Sequence, residues 1–195
     1  VDGMPSTMTS TMMNTPLGVK TLHRFGARHF STSRVGDYDG QQIHWRSYAE
    51  IDASSARLAN ALTRLSIVPG DRVGTFMWNS TQHLETYLAV PSLGAVLHTL
   101  NCRLSAEHIA YIINHAADRF LILDARLIDS FLPVLPLIPD VEHVIVSGAD
   151  NDAAALLNDP RAVSYESLLR DAELTFPWPE PEENAAAGVC YTSGT

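Results

Sequence analysis

The chain has 195 residues, 46% of them hydrophobic, with 13 basic residues against 22 acidic ones and a formal net charge of −9. That is enough to bury one sizeable core, and the acidic balance counts against a partner held mainly through nucleic-acid phosphates or an anionic membrane surface. Two cysteines without metal-ligand spacing, no apolar run of bilayer length and no signal-peptide pattern lead to the expectation of a cytoplasmic protein with reduced thiols and no integral membrane segment.

Residues 1–15, rich in Ser, Thr and Met without periodicity, are expected to form a mobile tail. The acidic turn "GDYDGQQ", with Asp37, Tyr38 and Asp39, lacks EF-hand spacing and reads as a hairpin or loop rather than a calcium site. Ser47 with Glu50 three residues later has the form of a capping box, and Ile51, Leu58, Leu62 and Leu65 share one helical face before Pro69 and Gly70. Val73 to Trp78 is a short apolar run of buried-strand character. A second helical stretch follows with Leu84, Leu88 and Ala95 in register, kinked or divided by Pro91.

Ser105 is placed as an N-cap with Glu107 in the first turn, and Ile109, Ile112, Ile113 and Ala116 form the clearest helical stripe in the chain. "RFLILD" reads as a buried strand, a Pro-interrupted helix carries Ile128, Phe131, Leu132 and Leu135, and "EHVIVSG" reads as a third strand. This alternation predicts an α/β fold with a mostly parallel sheet flanked by helices. "GADNDAAALLNDPRAV" is expected to be a surface loop, and "SYESLLRDA" a short helix packing Tyr165, Leu168 and Leu169. "FPWPEPEEN" suits a solvated connector, after which "AAAGVCYT" starts a new strand. The expected organisation is therefore a tail at 1–15, an α/β subdomain at 16–175, a connector at 176–184, and the first strand and loop of a further subdomain at 185–195.

The residues with most chemical promise are Thr192, Ser193, Gly194 and Thr195. A strand running into three hydroxyls, backbone amides and a glycine suits phosphate oxygens. Taken alone, the same four residues also fit a plain turn leading out of a strand. They are not a Walker A loop, since no G-x-x-x-x-G-K-[ST] is present and no lysine lies near. No G-x-G-x-x-G follows an expected strand, which disfavours a nicotinamide-binding dehydrogenase. His108 and His115 lie seven apart on one helix face without a third ligand, so a solvated face competes with a zinc site. Cys190 falls in an expected buried strand without a neighbouring base, which favours packing over nucleophilic catalysis. Trp78 and Asn79, at the end of a strand, suit either the core or the crevice of an open sheet.

Three segments in order, "WRSYAEIDASSARLANAL", "VGTFMWNSTQHLETYLAVPSLGAVLHTLNCRLSAEHIAYIINHA" and "CYTSGT", resemble the N-terminal part of the adenylate-forming superfamily of acyl-CoA synthetases. "GAVLHTLN-x-RLS" and the "WN" after the strand look most like the fatty-acyl-CoA ligase branch, and the resemblance runs from about residue 16 to 195. In that family the loop reads Tyr-Thr-Ser-Gly-Thr-Thr-Gly, a variable residue, Pro and Lys, of which residues 191–195 supply the first five. The resemblance implies the large N-terminal domain of an enzyme that adenylates a fatty acid with ATP and then forms a thioester with coenzyme A. It implies that Thr192, Ser193, Gly194 and Thr195 contact the β- and γ-phosphates, with Thr192 also near Mg²⁺. The family's catalytic groups would lie beyond Thr195, so no catalytic residue is assigned here and the 195 residues alone are expected to be inactive. Cys102 stands where the family usually has Pro, a change expected to leave function intact. Two alternatives remain open: an aryl- or aminoacyl-adenylating enzyme, and a non-catalytic binding module that forms a homodimer through the helix at 105–117.

Overall fold

Period-2 alternation in the apolar runs sends successive side chains to opposite faces of one parallel sheet. The computed structural model describes residues 11, 15–148, 155, 157–180 and 182–192. Among them, six strands form that sheet: β3 (Arg72–Phe76), β4 (Val96–Thr99), β5 (Asp118–Asp124), β6 (His143–Ser147), β7 (Ala162–Ser164) and β8 (Gly188–Cys190). The spatial order is β7-β6-β5-β3-β4-β8, and every pairing is parallel. A separate antiparallel hairpin joins β1 (Arg34–Tyr38) to β2 (Ile43–Ser47), as the "GDYDGQQ" turn suggests.

The helices are α1 (Val19–His29), α2 (Tyr48–Arg64), α3 (Thr81–Ser92), α4 (Ala106–Ala116), α5 (Ile128–Phe131) and α6 (Tyr165–Leu169). On one sheet face Val73, Leu97, Phe120, Ile122 and Ile145 pack with Leu58 and Leu62 of α2, Val90 of α3 and Tyr165 of α6. On the other, Phe76, Leu121, Leu123, Val144 and Val146 pack with Ile109 and Ile113 of α4 and Phe131 of α5. The helices thus flank the sheet on both sides, as the alternation predicts. The capping box forms: Ser47 Oγ accepts from the Glu50 amide at 3.2 Å, and Glu50 Oε2 accepts from the Ser47 amide at 2.7 Å.

Several expectations need correction. Pro91 lies in the last turn of α3, and Gly94 at φ +82° turns the chain, so Ala95 lies beyond the helix, just before β4. Strand β4 was hidden because "GAVLHTL" extends the apolar stripe of the helix before it. Strand β7 lies inside the stretch expected to be a loop, other parts of which are outside the described residues. Residues 176–180 are irregular, as a connector should be, yet Phe176 and Trp178 are half-buried against the α2 face rather than solvated. The expected tail at 1–15 lies outside the described residues apart from Thr11 and Thr15. Strand β8 joins the edge of the same sheet, with Leu97 donating to the Ala187 carbonyl at 3.1 Å. Among the described residues no helix is long and apolar enough to cross a membrane.

Candidate functional site

Connections from neighbouring strands β3 and β5 leave in opposite directions, β3 toward β4 and β5 toward β6. Open parallel sheets bind ligands beyond the carboxyl ends of their strands. At that edge Asn101 follows β4, Tyr191 and Thr192 follow β8, and the first half of α4 forms a wall. Together they enclose a cleft of about 400 Å³, lined also by Leu104, His108 and Tyr111. No carboxylate lines it. At the opposite ends of the strands, a cavity of about 220 Å³ is lined by Asp71, Asp118 and Asp140 together with Arg72 and Arg119. A separate cavity of about 220 Å³ against α1 is almost wholly apolar. The carboxyl-end cleft offers hydroxyl, amide and imidazole groups, with no acidic side chain among its described lining residues.

Tyr191 forms the floor of this cleft through contacts from several elements. Its hydroxyl lies 2.5 Å from Nδ1 of His115 on α4, and its ring centroid lies 5.3 Å from that of His98 on β4. His98 is fully buried, with Nδ1 2.7 and 2.9 Å from the two carboxylate oxygens of Asp118 on β5. The pair reaches across β3 at Gly74, the register partner of His98; a β-carbon there would stand 2.7 Å from Asp118 Oδ2. Burial raises the Asp118 pKa, opposed by its hydrogen bond to His98. Burial also raises the Tyr191 pKa, assisted by Asp118, so the phenol stays neutral near pH 7.

On α3, His83 Nε2 lies 3.1 Å from Thr75 Oγ1, and Nδ1 lies 3.2 Å from the Trp78 carbonyl. A carbonyl can only accept, so Nδ1 donates, and the ring is neutral when Nε2 accepts from Thr75. Burial lowers the His83 pKa in keeping with that form. Trp78 itself is 42% exposed and so lies outside the core, and Asn79 lines a cavity with Asp37, Ser80 and Thr81.

Of the hydroxyl-rich stretch, Thr192 is exposed at the cleft, while Ser193, Gly194 and Thr195 lie outside the described residues. Cys190, expected to be buried, is exposed because β8 is an edge strand. His108 lines the cleft, whereas His115 is engaged by Tyr191, and among the described residues no group of three or more His, Cys, Asp or Glu is arranged to hold a metal. Cys102 Sγ lies 3.7 Å from the Leu100 carbonyl, and burial raises its thiol pKa. His98, Asp118 and Gly74 were not singled out from the sequence. The available signal was a His and an Asp at apolar-strand positions, "LHT" and "DRFLILD".

These features define a class. The AMP-binding enzyme family profile matches residues 25–195, and the chain belongs to that family, with the sheet and helices of an adenylate-forming enzyme. Among relatives, it is 39% identical over 193 residues to the 3-methylmercaptopropionyl-CoA ligase of Ruegeria lacuscaerulensis, covering 96% of this chain and 35% of that one. It is 36% identical to the medium-chain-fatty-acid–CoA ligase of Ectopseudomonas oleovorans, covering 96% and 34%. The solved structure of the anthranilate CoA ligase AuaEII with anthranoyl-AMP superimposes with a TM-score of 0.80 at 16% identity, over 96% of this chain and 34% of that one. The chain therefore spans about a third of the length of these relatives.

Proposed function

We propose that the chain is the phosphate-loop side of an ATP-dependent acyl-CoA ligase of fatty-acid type. The observation that carries this reading is the placement of Thr192, exposed in a carboxylate-free cleft at the carboxyl end of the sheet, at the start of the matched Tyr-Thr-Ser-Gly-Thr stretch. The similarity to the medium-chain-fatty-acid ligase and to the 3-methylmercaptopropionyl-CoA ligase supports an aliphatic carboxylate.

The chain's own contribution is to bind and orient. Thr192, Ser193, Gly194 and Thr195 would donate hydroxyl and amide hydrogens to the β- and γ-phosphates, where such donors stabilise phosphate charge. ATP, when bound, supplies the α-phosphorus that activates the carboxylate as a mixed anhydride ahead of thioester formation with coenzyme A. Thr192 Oγ1, exposed at the cleft, would help hold Mg²⁺, an ion that takes few protein ligands and would neutralise phosphate charge there. We assign residues 185–195 to the opening strand and loop of a second subdomain that begins against the edge of this sheet, where β8 pairs with β4, and the free thiols of Cys102 and Cys190 support a reducing, cytoplasmic setting.

No acid, base or nucleophile for adenylation is assigned among these residues, so the 195-residue chain alone should be inactive. The test is carboxylate-dependent ATP–pyrophosphate exchange. It should be absent from the chain alone, and present when the chain replaces the matching third of the Ectopseudomonas oleovorans ligase. Exchange by the homogeneous 195-residue chain, or none from a folded hybrid, would contradict the proposal.

A further inference from the structure

On the sheet face opposite α4, residues of β2, α2, α3 and α6 enclose a cavity of about 330 Å³. Its walls carry Arg46, Arg57 and Arg170 together with Gln82, Glu85 and Glu166. In a chain with 22 acidic and 13 basic residues, this cavity reverses the balance. Both carboxylates are already bonded. Glu85 is buried and accepts from Arg46 and, at 2.7 Å, from the Tyr165 hydroxyl. Glu166 accepts from the Gly148 amide at 3.0 Å and from Ser164 Oγ at 3.3 Å. Arg46 is committed as well, donating to Glu85, to Ser54 Oγ at 2.7 Å and to the Glu50 carbonyl at 3.1 Å.

Arg57 differs. The positions three and four residues away on α2 are Ala53, Ser54, Asn60 and Ala61, none of them acidic, so its own helix supplies no counter-charge. Its Nε is buried without a hydrogen-bond partner, and no described residue forms an ion pair with its guanidinium. An enclosed cationic donor left without an acceptor costs stability. Gln82 adds donors beside it: its Oε1 accepts from the Thr81 hydroxyl at 3.3 Å, which leaves the amide hydrogens unpaired among the described residues.

We propose that this cavity is a binding site for a phosphate oxyanion, held chiefly by the Arg57 guanidinium with the Gln82 amide beside it. Free donors facing carboxylates that are already bonded select an anion. Donors arriving from two helices, α2 and α3, suit a tetrahedral group with several acceptor oxygens better than a planar carboxylate, which a single guanidinium serves bidentately. The bound anion would tie α2 to α3 on the face of the sheet away from the carboxyl-end cleft. The inference is therefore independent of the function proposed above. Phosphate could arrive free or carried on a nucleotide, and the chemistry at Arg57 is the same.

The test observes the arginine Nε–Hε resonances of the 195-residue chain while inorganic phosphate replaces chloride at constant ionic strength. Arg57 should shift saturably in the millimolar range, while Arg24, paired with Asp52 on α2, stays in place. Arg57→Gln should weaken phosphate binding, followed at the Gln82 side-chain amide, by about tenfold or more, the loss expected for a charge-assisted hydrogen bond. Should that variant disturb folding, the wild-type Arg57 resonance decides alone. An Arg57 resonance that is silent, or that drifts without saturation alongside Arg24, overturns the proposal. An equal response to acetate overturns the choice of phosphate. MgATP distinguishes the sources: tighter saturation at Arg57 than with phosphate assigns the site to a nucleotide, and a response to phosphate alone assigns it to the free ion. Thr192 reads the carboxyl-end cleft in the same spectra, so failure at one site is not failure at the other.

Discussion

Replacing Gly74 by alanine tests the packing beneath the cleft with a single methyl group. The new β-carbon would lie 2.7 Å from Asp118 Oδ2 and 2.9 Å from Leu121 Cδ1. Neither neighbour is free to retreat: Asp118 is bound to buried His98, and Leu121 is fully buried in the core with Phe76 and Phe131. Overpacking of a tight core costs about 1–3 kcal/mol, and disturbing a buried hydrogen bond so that a partner is left unsatisfied costs about 1–3 kcal/mol. A loss of about 2–4 kcal/mol on Gly74→Ala is therefore expected from urea unfolding followed by circular dichroism. Gly26 is the control. Its added β-carbon would sit 3.5 Å from Tyr48, an ordinary contact inside α1, so Gly26→Ala should gain about 0.5–1 kcal/mol. In an Asp118→Ala background the Gly74→Ala cost should fall by about 1 kcal/mol or more, since the closest clash is gone. A Gly74→Ala variant within about 0.5 kcal/mol of wild type, or an equal cost in both backgrounds, would refute the reasoning.

Two further outcomes follow from local geometry. Ser47→Ala removes the cap from the Glu50 amide and one partner of the Glu50 carboxylate, and should lower the unfolding free energy by about 1 kcal/mol in the same urea assay. His83 is held below the ordinary histidine pKa, so the unfolded chain binds its proton first, and stability falls as pH drops below about 6.5. The wild-type urea midpoint should therefore fall more between pH 8 and 5.5 than that of His83→Gln; equal falls would remove His83 from the explanation.

The parallel α/β plan was legible because its signals are local. The capping box at Ser47, the stripe through Ile109 and Ile113, and the run "RFLILD" each report their own element without reference to the rest of the fold. Strand β4 was not legible, since four apolar-rich residues after a helix continue the helix's own pattern. The exposure of Cys190 depends on β8 lying at an edge, and sheet order is set by crossovers rather than by residues near the cysteine. The hydroxyl-rich stretch suggested a phosphate site by composition and order. Its support did not: His98, Asp118 and Gly74 come from three strands, and His115 from a helix, so only the register brings them beneath Tyr191.

The most direct test of the central claim is to map MgATP onto the 195-residue chain through its backbone amide resonances. If the cleft at the carboxyl end of the sheet receives nucleotide phosphates, Thr192 and Asn101 should shift saturably at millimolar nucleotide, while Asp71, Arg119 and Asp140 around the cavity at the other end stay in place. An unmoved Thr192, or shifts concentrated at that other end, would contradict it.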